Sequence, residues 1–146
     1  MNELRGLWRG KREDSGKWVE GYRVELPQEK GAEPLYLIIG IDGQYNRVDP
    51  KTYGECTGSP DKNGKPIFEG DIVEYDNEKF IVQFIEGFAT FDLRSANNMR
   101  HAPRFTSTTI PRMSVVGNIY DNPELQELAT GEDSGNADQD TLLPAT

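Results

Sequence analysis

The stretch TGSPDKNGKPIFEGDIVEYDNEKFIVQF, Thr57–Phe84, decides the fold. Pro60-Asp61-Lys62-Asn63-Gly64-Lys65 is a turn segment, because Asn63-Gly64 accepts positive φ at little cost. Ile67 and Phe68 supply an apolar anchor, and Gly70 permits a sharp bend. Ile72, Val73 and Tyr75 then begin a strand that ends at Asp76-Asn77. In KFIVQFIEG (79–87), Phe80, Val82 and Phe84 share one face, whereas Ile81, Gln83 and Ile85 share the other. Gly87 breaks this strand and FATFDL (88–93) resumes as a third. Three strands with short connections predict a small curved sheet or partial barrel.

Working outward, the N-terminal third is also stranded. Residues 4–9 (LRGLWR) and 18–26 (WVEGYRVEL) predict a hairpin bending near Ser15-Gly16, with Tyr22, Val24 and Leu26 on one face. PQEKGAEP (27–34) is a polar loop. LYLIIGI (35–41) carries too many consecutive apolar residues for a half-exposed strand and predicts one covered on both faces. Asp42-Gly43 turns the chain into QYNRV (44–48), and Asp49-Pro50 is expected to end that element. KTYGECTG (51–58) reads as short, irregular or weakly stranded, with Tyr53 its residue to bury. Towards the C-terminus, residues 94–112 read as a loop with a short helical turn. A strand follows at Ser114–Val116, a break at Gly117, and apolar anchors at Ile119 and Tyr120.

Composition bounds the rest. The 146 residues suit one compact domain, with 35% apolar residues, 10% aromatic and 15 glycines. The net charge of −9 is partly a tail property. Glu124–Thr146 holds six acids and no base, which leaves 16 bases against 19 of the 25 acids in Met1–Pro123. The acidic pI therefore does not describe a binding surface. Residues 129–146 offer nothing to bury and are expected to be disordered. Cys56 stands alone, so no intramolecular disulfide forms, and His101 is the single histidine. No apolar run approaches membrane-spanning length and no signal peptide is evident, which points to a cytoplasmic protein without membrane contact.

Two groups of residues invite chemistry. Glu69 and Asp71 flank Gly70, and in an extended segment their carboxylates project to the same side, about 7 Å apart. A metal needs more oxygen ligands, and DKNG is too short for a calcium loop. The structural reading is favoured: Gly70 sets the bend and Asp71 accepts backbone hydrogen bonds at the strand entry. Gly54, Gly58, Gly64 and Gly70 do not form a phosphate loop, because neither the spacing nor a following helix is present. No enzymatic constellation, metal site or cofactor is expected. The second group is the run 94–112, with four arginines and no acid. Arg94, Arg100, Arg104 and Arg112, with His101 and Phe105 among them, can contact phosphates and stack on a base. A net-negative ordered region opposes that reading, and pairing of these arginines with acids elsewhere is the simpler one. Trp8, Trp18, Tyr22, Tyr36, Tyr45 and Phe68 suggest an aromatic ligand cage, although core and interface packing accounts for them more economically.

DPKTYGECTGSPDKNGKPIFEGDIVEY (49–75), followed by VVGNIYDNPEL (115–125) and preceded by LRGLWRGK, resembles the YopX family of small phage- and prophage-associated proteins. The matching positions are Tyr53, Gly54, Thr57, Gly58, Asp61, Asn63, Gly64, Glu69, Gly70, Asp71 and Val73, then Gly117, Asn118, Ile119, Asn122 and Pro123. The resemblance implies a mainly β protein of curved antiparallel or mixed sheets with a small SH3-like partial barrel. It places one such domain over residues 1–128, with a β subdomain at 1–56 and the small barrel at 57–125. It also implies a homo-oligomer, with a phage or host protein as a further partner. It brings no catalytic residues. Nucleic-acid binding through 94–112 is the alternative.

Overall fold

The computed structural model describes residues 4–95 and 102–125. Nine strands make up most of them: β1 (Trp8–Arg12), β2 (Trp18–Leu26), β3 (Leu35–Gly40), β4 (Tyr45–Pro60), β5 (Pro66–Phe68), β6 (Asp71–Tyr75), β7 (Glu78–Ile85), β8 (Thr90–Ser95) and β9 (Ser114–Asn118). Short 3₁₀ turns lie at Glu86–Phe88 and Ile110–Arg112. The protein is mainly β, and each described strand pairing given a register is antiparallel. No helix among the described residues is long and apolar enough to cross a membrane. The chain divides into two compact units at Ser59/Pro60.

In the first unit β1 pairs β2, β2 pairs β3, β3 pairs β4, and β4 returns to β1. The sheet therefore closes on itself. Closure around so few strands leaves little interior volume, and the sequence meets this with small residues. A Cβ added at Gly21 would lie 1.9 Å from the Ile39 carbonyl oxygen, and one at Gly10 would press on Val48 at 3.1 Å. Ile38 and Val48 fill what space remains and are fully buried. Asn46, opposite Ile38, donates to the Ile38 and Gln44 carbonyls and accepts from Arg12.

β4 corrects one expectation. Asp49-Pro50 does not end the strand, which runs sixteen residues from Tyr45 to Pro60. Lys11 pairs Asp49 while Arg9 pairs Gly54, so Pro50–Tyr53 bulges opposite Gly10. Within a bulge the missing proline N–H costs no ladder bond. Thr52 replaces the interrupted ladder: its Oγ1 accepts from Lys11 N at 2.8 Å and donates to the Asp49 carbonyl at 2.6 Å. Asp49 Oδ1 accepts from Lys51 N. KTYGECTG is thus a strand, not an irregular segment.

The second unit has a four-stranded antiparallel sheet in the order β8-β7-β6-β9. The β6–β7 turn is Asp76-Asn77, with φ of 53° and 66°, the pair of left-handed residues that a two-residue hairpin demands. One sheet face carries Val73, Phe80, Val82 and Leu93, which pack with Ile67, Ile110 and Met113. Phe105 and Ala102 lie against this cluster. The run 94–112 is accordingly more than a surface loop, because Ile110 is buried within it and Phe105 is half-buried. β9 also continues through Gly117, where a break was expected. Ile72 pairs Gly117 and Val73 pairs Val115, so Val116 bulges and the ladder resumes. The ring closure found in this protein lies in the first unit, and the segment read as a small barrel at 57–125 contains this four-stranded sheet. The tail at 129–146 lies outside the described residues.

Candidate functional site

The motif residues divide between the two units. In the first, Tyr53 donates its hydroxyl to the Leu37 carbonyl at 3.0 Å and takes the edges of Trp8 and Tyr36. The Arg23 guanidinium lies 4.7 Å from both the Trp8 and the Tyr53 rings and is paired with Glu25. Burial raises the Tyr53 phenol above its ordinary value, the nearby Arg23 charge opposing it. Of the proposed cage aromatics, Trp8 is therefore engaged by Arg23 of the same unit, together with its neighbour Tyr53, and Trp18 by Arg9. Gly54 is buried where β4 meets Arg9 of β1, and Gly58 is buried with φ of 89°. Thr57 Oγ1 accepts from Ser59 N.

In the second unit the motif is an anchor for backbone. Asp61 is 5% exposed. Its Oδ1 accepts from Asn63 N at 2.8 Å and Lys65 N at 2.9 Å, and its Oδ2 accepts from Val115 N at 2.9 Å. Burial alone would push its pKa up, yet the three amides outweigh burial and hold it below the usual carboxylate range. Gly64 completes the turn at φ 84°. Asp71, 1% exposed, accepts from Phe68 N at 2.8 Å around Gly70, whose φ is 91°. Gly70 itself donates to Val82 O and accepts from Ile119 N. Asn118 Oδ1 accepts from Tyr120 N and Asp121 N, and Asn122 Oδ1 accepts from Asn118 N. Gly117 gives Asn122 its place, since a Cβ there would lie 2.5 Å from Asn122 Oδ1. Pro123 opens the short turn that follows. Glu69 is half-buried beside this anchor. Asp71 faces a backbone amide, an arrangement that fixes geometry. Among the described residues no cluster of three or more His, Cys, Asp or Glu is placed to hold a metal ion.

Among the described residues, Arg94, Arg104 and Arg112 do not converge on a common partner. Arg94 sits on β8 opposite Ile81. Arg104 pairs Asp92 at 3.3 Å. Arg112 pairs Asp76 at 3.4 Å and lies 5.2 Å from the Tyr75 ring. Asp92 is opposite Gln83 and Asp76 precedes Glu78, so the two anchors are about 17 Å apart along β7 by strand rise. Phe105, offered above as a base-stacking ring, packs on the core instead. Arg100 and His101 lie outside the described residues.

The surface that sequence reasoning missed is on the first sheet. Tyr22 pairs Ile39 and Ile39 pairs Tyr45, forming one cross-strand row on one face. Tyr22 is 62% exposed and Tyr45 64%. Ile41, in the turn that follows β3, is 95% exposed. The alternation of Tyr22, Val24 and Leu26 signalled an apolar face, but its neighbours become visible only with register. An open recess of about 680 Å³ beside the β1–β2 and β3–β4 turns is lined by apolar and charged residues alike, Lys17, Glu20, Ile41 and Asp42 among them.

Comparison with curated proteins returns no match. The family comparison does: residues 7–127 match the family described as YopX protein, which covers the closed sheet, the carboxylate anchors and β9 alike. That span exceeds half of the 146 residues, and membership fits a phage-associated protein. The chain belongs to the YopX protein family.

Proposed function

We propose that this protein is a phage or prophage accessory protein of the host cytoplasm that works by protein–protein contact, as a homo-oligomer, rather than by catalysis. The observation that carries the reading is the Tyr22–Ile39–Tyr45 row, whose two tyrosines are exposed. Tyrosine offers a large, stiff contact area with a polar tip, which suits surfaces that are wet when free and buried when bound. A contiguous apolar face of this kind is a recognition surface more often than scattered single residues are. Neutralisation of Arg104 by Asp92 and of Arg112 by Asp76 weighs against phosphate recognition as the leading role.

Sedimentation velocity at two protein concentrations tests the reading. The wild-type chain is expected to sediment as an oligomer whose population grows with concentration. Tyr22→Ser with Tyr45→Ser changes only exposed side chains, and is expected to shift the protein to monomer with its circular dichroism unchanged. A wild-type chain that stays monomeric throughout overturns the assembly.

A further inference from the structure

We propose that Asn63 is a site of covalent modification: its carboxamide is lost to attack by the backbone nitrogen of Gly64, Asp61 holds that reaction back while the second unit is folded, and the product loosens the grip of Asp61 on β9. The reaction belongs to a single chain and is independent of assembly.

The reactive pair is set by the sequence. Asn63-Gly64 is the one Asn-Gly step in the chain. Glycine carries no Cβ to crowd its own amide, so the Gly64 nitrogen can approach the Asn63 Cγ closely. Both residues are exposed, which gives water access to them. A base from solvent takes the Gly64 N–H proton, the nitrogen attacks Cγ, and ammonia departs with a proton from water, leaving a succinimide ring. Water then opens the ring at either carbonyl. Cleavage at the side-chain carbonyl gives aspartate, and cleavage at the main-chain carbonyl gives isoaspartate. Water enters and ammonia leaves, with no change of oxidation state.

The fold opposes the first step. Gly64 N donates to the Asp61 carbonyl at 3.0 Å, and Asp61 N closes the turn onto Lys65 O at 2.7 Å. The amides on either side, Asn63 N and Lys65 N, donate to Asp61 Oδ1 at 2.8 and 2.9 Å. Deprotonating Gly64 N gives up its hydrogen bond and develops negative charge beside a carboxylate that these amides keep ionised. The attack therefore proceeds from the opened turn, at a rate set by how often the turn opens.

Asp61 carries the effect to β9. Its Oδ2 accepts from Val115 N at 2.9 Å, and Lys62 N donates to Met113 O at 2.9 Å. Aspartate at position 63 adds a negative charge two residues from the Asp61 carboxylate. Isoaspartate also inserts a methylene into the backbone of the turn, so the amides of residues 63 and 65 no longer meet one oxygen. Either product weakens the carboxylate that ties the turn to β9.

The full chain, aged in mildly alkaline buffer, tests this by peptide mass spectrometry and hydrogen exchange. Asn63 is expected to convert to the acid about tenfold or more slowly in the folded protein than in the same chain held in urea. Asp61→Ala is expected to remove most of that difference while its circular dichroism stays native; if it does not fold, the wild-type ratio of folded to urea rates decides. Aged wild type is expected to lose amide protection at β9. Asn63→Gln, at an exposed position and with a longer side chain that closes the ring far more slowly, is expected to keep it after the same treatment. Conversion as fast when folded as in urea overturns the gate. Asn63 that stays intact in urea overturns the site, and unchanged β9 protection in the converted protein overturns the coupling.

Discussion

The two units solve the same problem, a small β-sheet with little to bury, in opposite ways. The first closes its sheet by pairing β1 with β4 and keeps the interior thin, with Gly10 and Gly21 against Ile38 and Val48. The second leaves its sheet in the linear order β8-β7-β6-β9 and builds an aliphatic and aromatic cluster on one face. Where closure supplies hydrogen-bond partners, side-chain volume becomes the enemy. Where it does not, volume is what holds the sheet, and the irregular connections need carboxylates to satisfy their amides. Asp61 and Asp71 do that in the second unit, whereas in the first the comparable task at the β4 bulge falls to Thr52 and Asp49.

The sharpest way to break this contrast is Gly21→Ala. A methyl group 1.9 Å from a backbone oxygen forces β2 and β3 apart, at an expected cost above about 3 kcal/mol. Hydrogen exchange should then lose protection across β1–β4 while β6–β8 keep theirs; uniform loss would mean that the units unfold as one. Next in size is Asp61→Ala, which strands three amides of the Asn63-Gly64 turn and β9 and is expected to cost about 3 kcal/mol in chemical denaturation. Asp61→Asn sharpens the assignment. Its amide oxygen can still serve Asn63 and Lys65, but its NH₂ group would face Val115 N, so protection is expected to be lost at β9 and kept at the turn.

The smallest effect is a pH dependence. The folded pKa of Asp61 lies below its unfolded value, so the charge stabilises the second unit fully above about pH 4 and ceases to do so as pH falls through the lowered folded value. Asp14 behaves in the same direction, held at about 2 by its hydrogen bond to Arg12, but it is exposed and salt screens it. Denaturation midpoints between pH 4 and pH 2 should therefore fall in wild type, fall less in Asp61→Asn, and respond to salt only through the Asp14 part.

How much of this the sequence revealed depended on where the burial signal was carried. In 67–93 the buried residues are Ile, Val, Phe and Leu, and both the strands and the core face follow from alternation. In 52–58 the buried alternation runs Thr52, Gly54, Cys56, Gly58, none of them strongly hydrophobic in pattern, so the long strand was invisible. Pro50 reinforced the error, because a bulge that tolerates proline depends on Thr52 meeting Lys11, a contact 41 positions apart. Asp71 as a backbone acceptor was legible, since Gly70 announces the bend it serves. Asp61 binding Val115 was not, and neither were the acids opposite Arg104 and Arg112. The Tyr22–Ile39–Tyr45 row needed three strands in register before it existed as a surface at all.

The Asp61–Val115 bond spans 54 positions and has a companion in Lys62 N to Met113 O. Its consequence concerns the order of events during synthesis. β6, β7 and β8 are consecutive and can zip up from nearby residues, but β6 gains its second neighbour only after the chain has emerged past Asn118. Until then one margin of β6 stands open as a template for strand exchange with a neighbouring nascent chain. The late arrival of β9, secured by a carboxylate placed more than a third of the chain earlier, is what ends that vulnerable interval.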